Sequence, residues 1–450
     1  MTENTPTKNR KNKIVVLGCG FAGLSFVKSC KGLADVAEIL VVDKENHHLF
    51  QPLLYQVAMA GLSAPEVSEP IRSLFRKRPE VRTVMDTVES VDLGKREVML
   101  AIGGVERYDY LVVAMGGAAS YFGNDAWEEH APGLKSLDDA MRIRRGVLTS
   151  FELAEAIDDE PRRKELITVV IIGGGATGVE LAGAMAELAR RVFKRDFREI
   201  NPADARVVLV DGSDRLLEAF PESLSASALR QLKSLGVEVR LNTRVDAIDE
   251  GGVDLNDGTR IDAANVLWGG GVQAAPITRE MEVQHGAGGR ITVGPDLSIP
   301  GHPEVFVLGD IADVTLPDGT KAPGLAPAAM QMGKQVAKVV RKEVKLGKGV
   351  GEPSGRPVFD YKDKGTMATI GRSRAIAWVE PLKLSGFFAW VAWLLVHLML
   401  LIGFRNKVVV MVQWFYSYVT FRRGARIIFG KKTPVSSEAD TPSEAARADG

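Results

Sequence analysis

The sequence predicts an α/β protein in which one doubly wound unit occurs twice, the second copy inserted in the first, with a helical segment added at the C-terminus. Three observations support this prediction: a glycine motif that recurs 155 residues later, an apolar strand after the second copy, and two apolar, aromatic runs between residues 384 and 421. The 450 residues are enough for about three domains with buried cores.

The glycine motif follows a short aliphatic run in each copy. Residues 14–23 read IVVLGCGFAG, and residues 169–178 read VVIIGGGATG. The corresponding glycines are Gly18, Gly20 and Gly23 in the first copy and Gly173, Gly175 and Gly178 in the second. Each copy continues into a helix-like segment and a second apolar strand that ends in an acid, Asp43 or Asp211. Strand, GxGxxG, helix, strand and acid in this order predict a Rossmann-type dinucleotide-binding domain. The alternative is a tight turn without a ligand.

Two such domains imply two dinucleotides. Hydride transfer needs a donor and an acceptor face to face, which favours FAD in one domain and a nicotinamide in the other. A carboxylate at Asp211 would accept from ribose hydroxyls and repel a 2′-phosphate, so the second domain is predicted to prefer NADH to NADPH. The longer spacing before Asp211 indicates a charged insertion near residues 192–205.

The strand at residues 305–310 ends in Gly-Asp and follows the second copy, so the chain is predicted to return there to the first domain. The predicted domains are an FAD-binding domain of residues 13–125 and 290–350, an NADH-binding domain of residues 160–285, and a C-terminal region of residues 356–430. Residues 1–12 and 433–450 are predicted to be flexible tails. The predicted cofactor-binding residues are the six motif glycines with Phe21, Ala22, Asp43, Lys44, Val88, Ala114, Gly116, Ala176, Thr177, Asp211, Gly270 and Asp310. An alternative role for Asp310 is to cap a helix.

Composition gives no support for a nucleic-acid partner, a dithiol mechanism or a metal site. Lys+Arg and Asp+Glu both number 57, which gives no indication of a nucleic-acid partner. The two cysteines, Cys19 and Cys30, form no CxxC motif, so a dithiol mechanism and a zinc site are poorly supported. His47 and His48 have no partner cluster at metal-ligand spacing. They are predicted to be loop residues near the flavin, and no metal is predicted.

The chain resembles the type II NADH dehydrogenases, which are single-chain, non-pumping NADH:quinone oxidoreductases. The resemblance rests on residues 47–57 (HHLFQPLLYQV), the second glycine turn continuing into VELA at residues 179–182, and residues 306–310, 324–331, 359–371 and 402–406. It implies a ping-pong reaction in which NADH reduces FAD and the reduced flavin passes two electrons to a membrane quinone. It also implies a homodimer on the cytoplasmic face of a bacterial inner membrane.

The resemblance implies three catalytic residues, each with a simpler alternative. Glu180 would lie where nicotinamide and flavin meet, or it would only complement a helix dipole. Gln331 would lie at the quinone side of the flavin, although Pro327 replaces a glutamine of the family motif; alternatively it is a solvent-facing helical residue. Lys364 would balance negative charge at the flavin or quinone, or it would pair with Asp363 or Asp360.

The C-terminal region carries the membrane prediction. Residues 384–404 are an uncharged run long enough to cross a bilayer, whereas residues 408–421 are too short. Residues 381–437 contain eight Lys or Arg and no Asp or Glu. A helix pair lying in the headgroup region keeps all of these cations on one anionic leaflet, so this arrangement is favoured over a span. His397 is predicted to be a core or headgroup-facing residue.

Two other functions remain open from the sequence. A sulfide:quinone oxidoreductase would need cysteines that hold sulfur, and Cys19 and Cys30 are poorly placed for that role. An NADH-sensing flavoprotein would act by binding a partner and would turn over slowly.

Overall fold

The structure is a computed structural model that describes residues 10–347, 350–420 and 424–428. The predicted tail at residues 433–450, most of the predicted tail at residues 1–12, and the cations Arg422 and Arg423 lie outside the described residues.

The first sheet has six strands, of which four precede a long insertion in the chain and two follow it. Their order across the sheet is Ser298–Ile299, His302–Val307, Tyr110–Val113, Asn12–Leu17, Ala37–Asp43 and Val81–Met85. All neighbours are parallel except the first pair. The central strand is β-branched and aliphatic and is fully buried from Ile14 to Leu17, as a parallel strand covered on both faces requires.

The second sheet repeats this topology inside the first. Its parallel strands are ordered Glu238–Arg240, Arg206–Val210, Thr168–Ile172 and Asn265–Trp268. Each sheet is accompanied by a three-stranded antiparallel sheet: Val88–Asp92, Glu97–Leu100 and Gly104–Arg107 in the first copy, and Val245–Asp249, Gly252–Leu255 and Arg260–Asp262 in the second. The predicted fold class is therefore confirmed, with the second Rossmann-type unit inserted between strands of the first.

The α-helices cover and connect these sheets. Their bounds are Phe21–Ser29, Leu54–Ala58, Ile71–Leu74, Leu137–Ala156, Glu160–Leu166, Ala176–Glu187, Glu222–Ser234, Ala326–Leu346, Phe387–Leu400 and Phe404–Thr420. Three two-stranded ribbons complete the body: Gly117–Ala119 with Val272–Ala274, His47–Leu49 with Ser68–Pro70, and Ile291–Thr292 with Ala312–Asp313. The charged insertion begins with a π-helical turn at Leu188–Val192, and Phe193 and Phe197 hold it against Phe151.

The C-terminal region differs from the predicted helix bounds. Strands Thr366–Gly371, Arg374–Val379 and Leu382–Ser385 form an antiparallel sheet, so Leu384 belongs to a strand and the first helix begins only at Phe387. The second helix begins at Phe404 and includes Arg405 and Lys407, which were expected to precede it. Among the described residues, no helix combines the length and apolarity needed to cross a membrane.

Candidate functional site

The two glycine-rich turns have the same geometry. Gly18 and Gly173 both have positive φ, +92° and +108°. A side chain at either position would overlap the backbone of the neighbouring strand end, at Ala114 or Gly269. Gly23 and Gly178 lie so close to the first glycine of their own turns that a Cβ would overlap its carbonyl oxygen. Only glycine permits this path of the chain from strand to helix.

The middle glycine of each turn faces open space. A Cβ built at Gly20 or at Gly175 meets no atom within 4 Å. Each of these glycines is the N-cap of the helix that follows and provides no side-chain cap, so the first N–H groups of Phe21–Ser29 and Ala176–Glu187 remain available. Free amides at a helix N-terminus beside open space fit a dinucleotide pyrophosphate.

Asp43 ends strand Ala37–Asp43, Asp211 directly follows strand Arg206–Val210, and both hold the glycine turns in place. Asp43 accepts hydrogen bonds from the backbone N–H of Cys19 (2.6 Å) and Glu45 (2.9 Å). Asp211 accepts from the N–H of Gly174 and of Ser213. Burial raises the pKa of Asp43, although these backbone donors oppose the shift. Both carboxylates thus have a structural role in holding the turns, which the prediction that they bind ribose hydroxyls did not include.

Asp211→Ser is expected to shift coenzyme preference toward NADPH. The aliphatic part of the exposed Arg244 side chain lies 3.3 Å from a Cβ built at Gly212, the residue after Asp211. Without the Asp211 carboxylate, the Arg244 guanidinium could therefore bind a 2′-phosphate. We expect the ratio of kcat/KM for NADPH to that for NADH to rise about tenfold, equivalent to about 1.4 kcal/mol. Asp214→Ser removes an exposed carboxylate three residues away and serves as the control. An unchanged ratio in Asp211→Ser would remove Asp211 from coenzyme selection.

Other predicted cofactor residues surround the first turn. Ala114 is buried against Gly18, while Gly116 has positive φ and open space around it. Asp310 follows strand His302–Val307 in a short turn beside Gly117 and Gly324; it caps no helix in the described structure. Phe21 packs edge-on against His48 and Phe50, Val88 lies on the rim of the core, and Lys44 is exposed. In the second unit, Ala176 and Thr177 start the helix, and Gly270 lies against the Trp268 ring.

Glu180 lines a pocket between four parts of the fold, which we call the Glu180 pocket. Its walls come from helix Leu54–Ala58, helix Ala176–Glu187, strand Thr366–Gly371 and the two C-terminal helices. The lining residues are Tyr55, Gln56, Gly61, Glu180, Ala184, Glu187, Thr369, Gly371, Arg372, Trp390, Trp393, Trp414, Ser417 and Tyr418. Gly183 allows this junction, because any side chain there would overlap the carbonyl oxygen of Ile370.

The surroundings of Glu180 favour the uncharged form of its carboxyl group. Burial raises its pKa to about 8, and the backbone N–H of Thr369, 3.4 Å from Oε1, opposes the shift only weakly. A glutamate that merely complemented a helix dipole would be solvated and ionised. Glu180 therefore has the perturbed pKa and pocket position typical of a functional group.

The raised pKa of Glu180 predicts a pH-dependent stability. Because the folded-state pKa lies above the ordinary value of 4.5, the native state holds this proton more tightly than the unfolded chain. Its contribution is full below about pH 4.5 and is lost as the pH rises through about 8. The Tm of wild type minus that of Glu180→Gln should therefore fall between pH 5 and pH 9, which scanning calorimetry of the oxidised protein would measure. A constant difference would contradict the raised pKa.

Gln331 and Lys364 lie apart from the Glu180 pocket. The Gln331 amide is engaged with the backbone of Lys362: Nε2 donates to the carbonyl (2.9 Å) and Oε1 accepts from the N–H (3.0 Å). It thus ties helix Ala326–Leu346 to the loop before the C-terminal sheet rather than facing only solvent. Lys364 is exposed, and in the described structure it forms no ion pair with Asp363 or Asp360. Their assignment to catalysis remains a prediction.

The histidines are structural in this arrangement. The prediction that His47 and His48 are loop residues is wrong, because both lie in the short strand His47–Leu49. His48 is buried there; its Nδ1 lies 2.8 Å from the Cys19 carbonyl, and burial lowers its pKa to about 4. His397 is a core residue, with Nδ1 2.8 Å from the Trp393 carbonyl and its ring stacked on that of Trp393. Within the described ranges, no group of three or more His, Cys, Asp or Glu side chains could hold a metal ion.

The two C-terminal helices, which we call the helix pair, expose an apolar surface. The buried positions are Ala389, Trp393 and His397 on the first helix and Asn406, Val410 and Trp414 on the second. Most of the exposed side chains are apolar, and they include Phe388 (75% exposed), Met399 (75%), Phe404 (84%), Phe415 (72%) and Val419 (63%). Many large apolar side chains exposed on two successive helices are typical of an interaction site.

Several site residues were missed by sequence reasoning. Tyr55 and Gln56 lie within the QPLLYQV stretch that carried the resemblance, yet nothing in their spacing indicated a pocket wall. Lys135 is a second case: burial lowers its pKa and the charge of Asp310 opposes the shift, which places a cation beside that carboxylate. Trp393 and Trp414 lie in the two apolar runs, 384–404 and 408–421, which were interpreted only as membrane-binding segments.

Comparisons with known proteins agree with this architecture. Residues 12–333 match the pyridine nucleotide-disulphide oxidoreductase family, and residues 364–423 match the NDH2 C-terminal domain. The chain is 41% identical to the type II NADH:quinone oxidoreductase Ndh of Mycobacterium tuberculosis, covering 94% of this chain and 91% of that protein.

Solved structures share the fold. NDH2 from Plasmodium falciparum, in complex with RYL-552, superposes with a TM-score of 0.83 at 18% identity, covering 94% of this chain and 100% of that one. The sulfide:quinone oxidoreductase of Aquifex aeolicus gives a TM-score of 0.67 at 16% identity, covering 86% and 90% of the two chains. The matches along both halves, together with the paired glycine turns and the helix pair, lead to one conclusion: the chain belongs to the type II NADH:quinone oxidoreductases.

Proposed function

We propose that this chain transfers two electrons from NADH through FAD to a membrane quinone, without pumping protons. The observation that carries the proposal is the Glu180 pocket, which joins the second Rossmann-type unit to the exposed apolar helix pair. NADH is water-soluble and quinones reside in the bilayer, so the enzyme needs a site that can be reached both from water and from the membrane. Bound FAD supplies the chemistry that accepts a hydride and releases two electrons.

The domain roles follow the predicted division. In this proposal residues 13–125 and 290–350 bind FAD through Gly20 and the first helix N-terminus, and residues 160–285 bind NADH through Gly175. Open space at both glycines and the free amides that follow support these roles. Asp310, at a strand end beside Gly324, is proposed to bind the sugar-like chain of FAD.

Glu180 is proposed to lie where nicotinamide and flavin meet and to hold the proton that is taken up when NADH reduces the flavin. Reduction of a quinone to a quinol takes two electrons and two protons; the hydride of NADH accounts for both electrons and one proton, and water must supply the other. With a pKa of about 8, the Glu180 carboxyl is protonated at neutral pH and lies in the pocket. A group of this pKa donates and recovers a proton near the operating pH.

The helix pair is proposed to dock on an anionic lipid surface at the cytoplasmic face of a bacterial inner membrane, and the enzyme is proposed to be a homodimer. The exposed aromatic and aliphatic side chains favour burial among lipid chains. Lys383, Arg405 and Lys407 flank that surface and would attract anionic headgroups. Sedimentation of the purified protein tests the dimer.

The first experiment tests the reaction. Purified protein should be yellow, bleach with NADH and recover its colour rapidly with a short-chain quinone. Slow recovery with quinone would instead favour an NADH-sensing flavoprotein. Bleaching by sulfide would favour sulfide oxidation, but Cys19 and Cys30 are both buried and burial raises both thiol pKa values, that of Cys30 to about 12.

A second experiment tests docking. Flotation with vesicles should recover wild type on anionic lipid, and Phe404→Asp should weaken this binding. Ile102→Asp is the matched control, because Ile102 is 86% exposed but lies far from the helix pair in sequence, in the turn between strands Glu97–Leu100 and Gly104–Arg107 of the first unit. Equal binding of all three proteins would contradict docking through the helix pair.

A further inference from the structure

Lys135 carries a half-buried positive charge that no carboxylate contacts in the described structure. Its ammonium group forms no ion pair and no hydrogen bond among the described residues. The ammonium nitrogen is also not one of the fully enclosed, unpaired atoms of this part of the chain, so a ligand can reach it. A cation that is partly withdrawn from water without a partner loses hydration that nothing replaces. Such a cation, still accessible, indicates a negative charge that comes from a ligand.

The segment of residues 131–136 holds Lys135 between the two Rossmann-type units. The Pro132 carbonyl accepts a hydrogen bond (3.0 Å) from the N–H of Trp268, the last residue of a strand in the second unit. The Lys135 carbonyl accepts from Gln51 Nε2 of the first unit at 3.1 Å. These two contacts, three residues apart, fix the backbone of Lys135 at the junction of the units.

Asp310 lies at the same junction. Its Cβ is 3.5 Å from a Cβ built at Gly117, where the first strand of the connecting ribbon begins. A Cβ built at Gly133 comes within 2.9 Å of the Cβ of Ala119, where that strand ends. Burial lowers the pKa of Lys135, and the negative charge of Asp310 opposes this shift. Lys135 and Asp310 are therefore neighbours beside the ribbon.

Hydride transfer creates a negative charge at this junction. The C4–H bond of NADH breaks, two electrons and one proton pass as hydride to N5 of the isoalloxazine ring, and NAD⁺ leaves with the positive charge. The reduced ring keeps one negative charge, on its N1 and C2 carbonyl side. In the proposed function Asp310 binds the sugar-like chain of FAD, and the ring beyond that chain meets the nicotinamide between the units. The ring therefore becomes anionic in the region where Lys135 lies.

We propose that the Lys135 ammonium stabilises the negative charge of the reduced isoalloxazine and thereby raises the reduction potential of the bound flavin. A fixed cation in a partly dehydrated site acts strongly on a charge that develops there, and it needs no rearrangement during the reaction. The neutral oxidised ring gains much less from the same cation. Lys135 thus favours hydride transfer from NADH to the flavin. This inference rests on the proposed function.

Removal of the charge tests this role without turnover. Lys135→Met keeps the apolar length of the side chain, and the reduction potential of the bound flavin, measured by equilibration with a reference dye, should fall by about 30 mV. For two electrons this corresponds to about a tenfold weaker preference for the reduced state. Lys135→Arg keeps the charge and should retain most of the wild-type potential.

Lys334→Met is the matched control. It removes one positive charge from an exposed position of helix Ala326–Leu346 in the same unit, and it should leave the potential unchanged. If Lys135→Met does not fold, Lys135→Gln removes the same charge with a polar side chain and is measured in the same way.

The outcomes separate this role from a simpler one. A lysine that bound only the pyrophosphate of FAD would be needed equally by the oxidised and reduced cofactor, so its loss would lower the FAD content and leave the potential unchanged. An unchanged potential in Lys135→Met or Lys135→Gln therefore overturns the inference, whatever the FAD content. Wild-type protein that bound no flavin, or whose flavin NADH did not bleach, would instead overturn the proposed function.

Discussion

Gly20→Val is expected to give a protein that purifies without FAD and has no NADH oxidation activity. The substitution is compatible with the fold, because a Cβ at this position meets no protein atom within 4 Å and φ is −68°. The added methyl groups would occupy the space that the pyrophosphate needs at the N-terminus of helix Phe21–Ser29. Absorbance of the purified protein measures the flavin content.

Gly175→Val is the matched change in the second turn, and it should show which turn binds FAD and which binds NADH. FAD should remain bound, while the Kd for NADH should rise at least tenfold, about 1.4 kcal/mol. Gly355→Val, at another glycine with open space and no positive φ, is the control for substitution alone. Retention of FAD by Gly20→Val, or loss of FAD from Gly175→Val, would reverse the assignment of the two domains.

Glu180→Gln is expected to slow single-turnover bleaching of the flavin by NADH about 10²-fold, the usual loss for removing a positioned acid–base group. The amide keeps the size and the hydrogen bond to the Thr369 N–H but cannot hold or release a proton near neutral pH. Stopped-flow absorbance measures this step without quinone.

Glu222→Gln provides the control for the helix-dipole alternative. Glu222 lies exposed in the first turn of helix Glu222–Ser234, where a glutamate complements the dipole and does nothing else that the structure shows. The Glu222→Gln variant should have the wild-type rate of flavin bleaching by NADH. Equal rates in Glu180→Gln and wild type would remove Glu180 from hydride transfer.

The duplicated glycine turns made the fold predictable. Each element has a local signal: the β-branched run, the three glycines and the acid at the strand end all constrain the same short stretch of chain. The insertion of one sheet in the other could also be predicted, because strand His302–Val307 has the pattern of a buried parallel strand after the second copy is complete.

The Glu180 pocket could not be predicted in the same way. Its walls come from residues as distant in sequence as Tyr55 and Tyr418, and no local pattern reports that they meet. The start of the first C-terminal helix was misplaced for a related reason: residues 384–404 are uniformly apolar, so hydropathy alone did not show that Leu382–Ser385 pairs with strand Arg374–Val379. Tertiary pairing overrode the local signal.

The ribbon of Gly117–Ala119 and Val272–Ala274 has a mechanical consequence. The chain leaves the first Rossmann-type unit along one strand of this ribbon and returns along the other, and the N–H of Ser120 donates to the carbonyl of Gly271 just beyond it. Two crossings bonded side by side resist torsion far more than a single tether would. Movement between the units is therefore expected to occur chiefly as bending about the ribbon, with little twisting of one unit against the other.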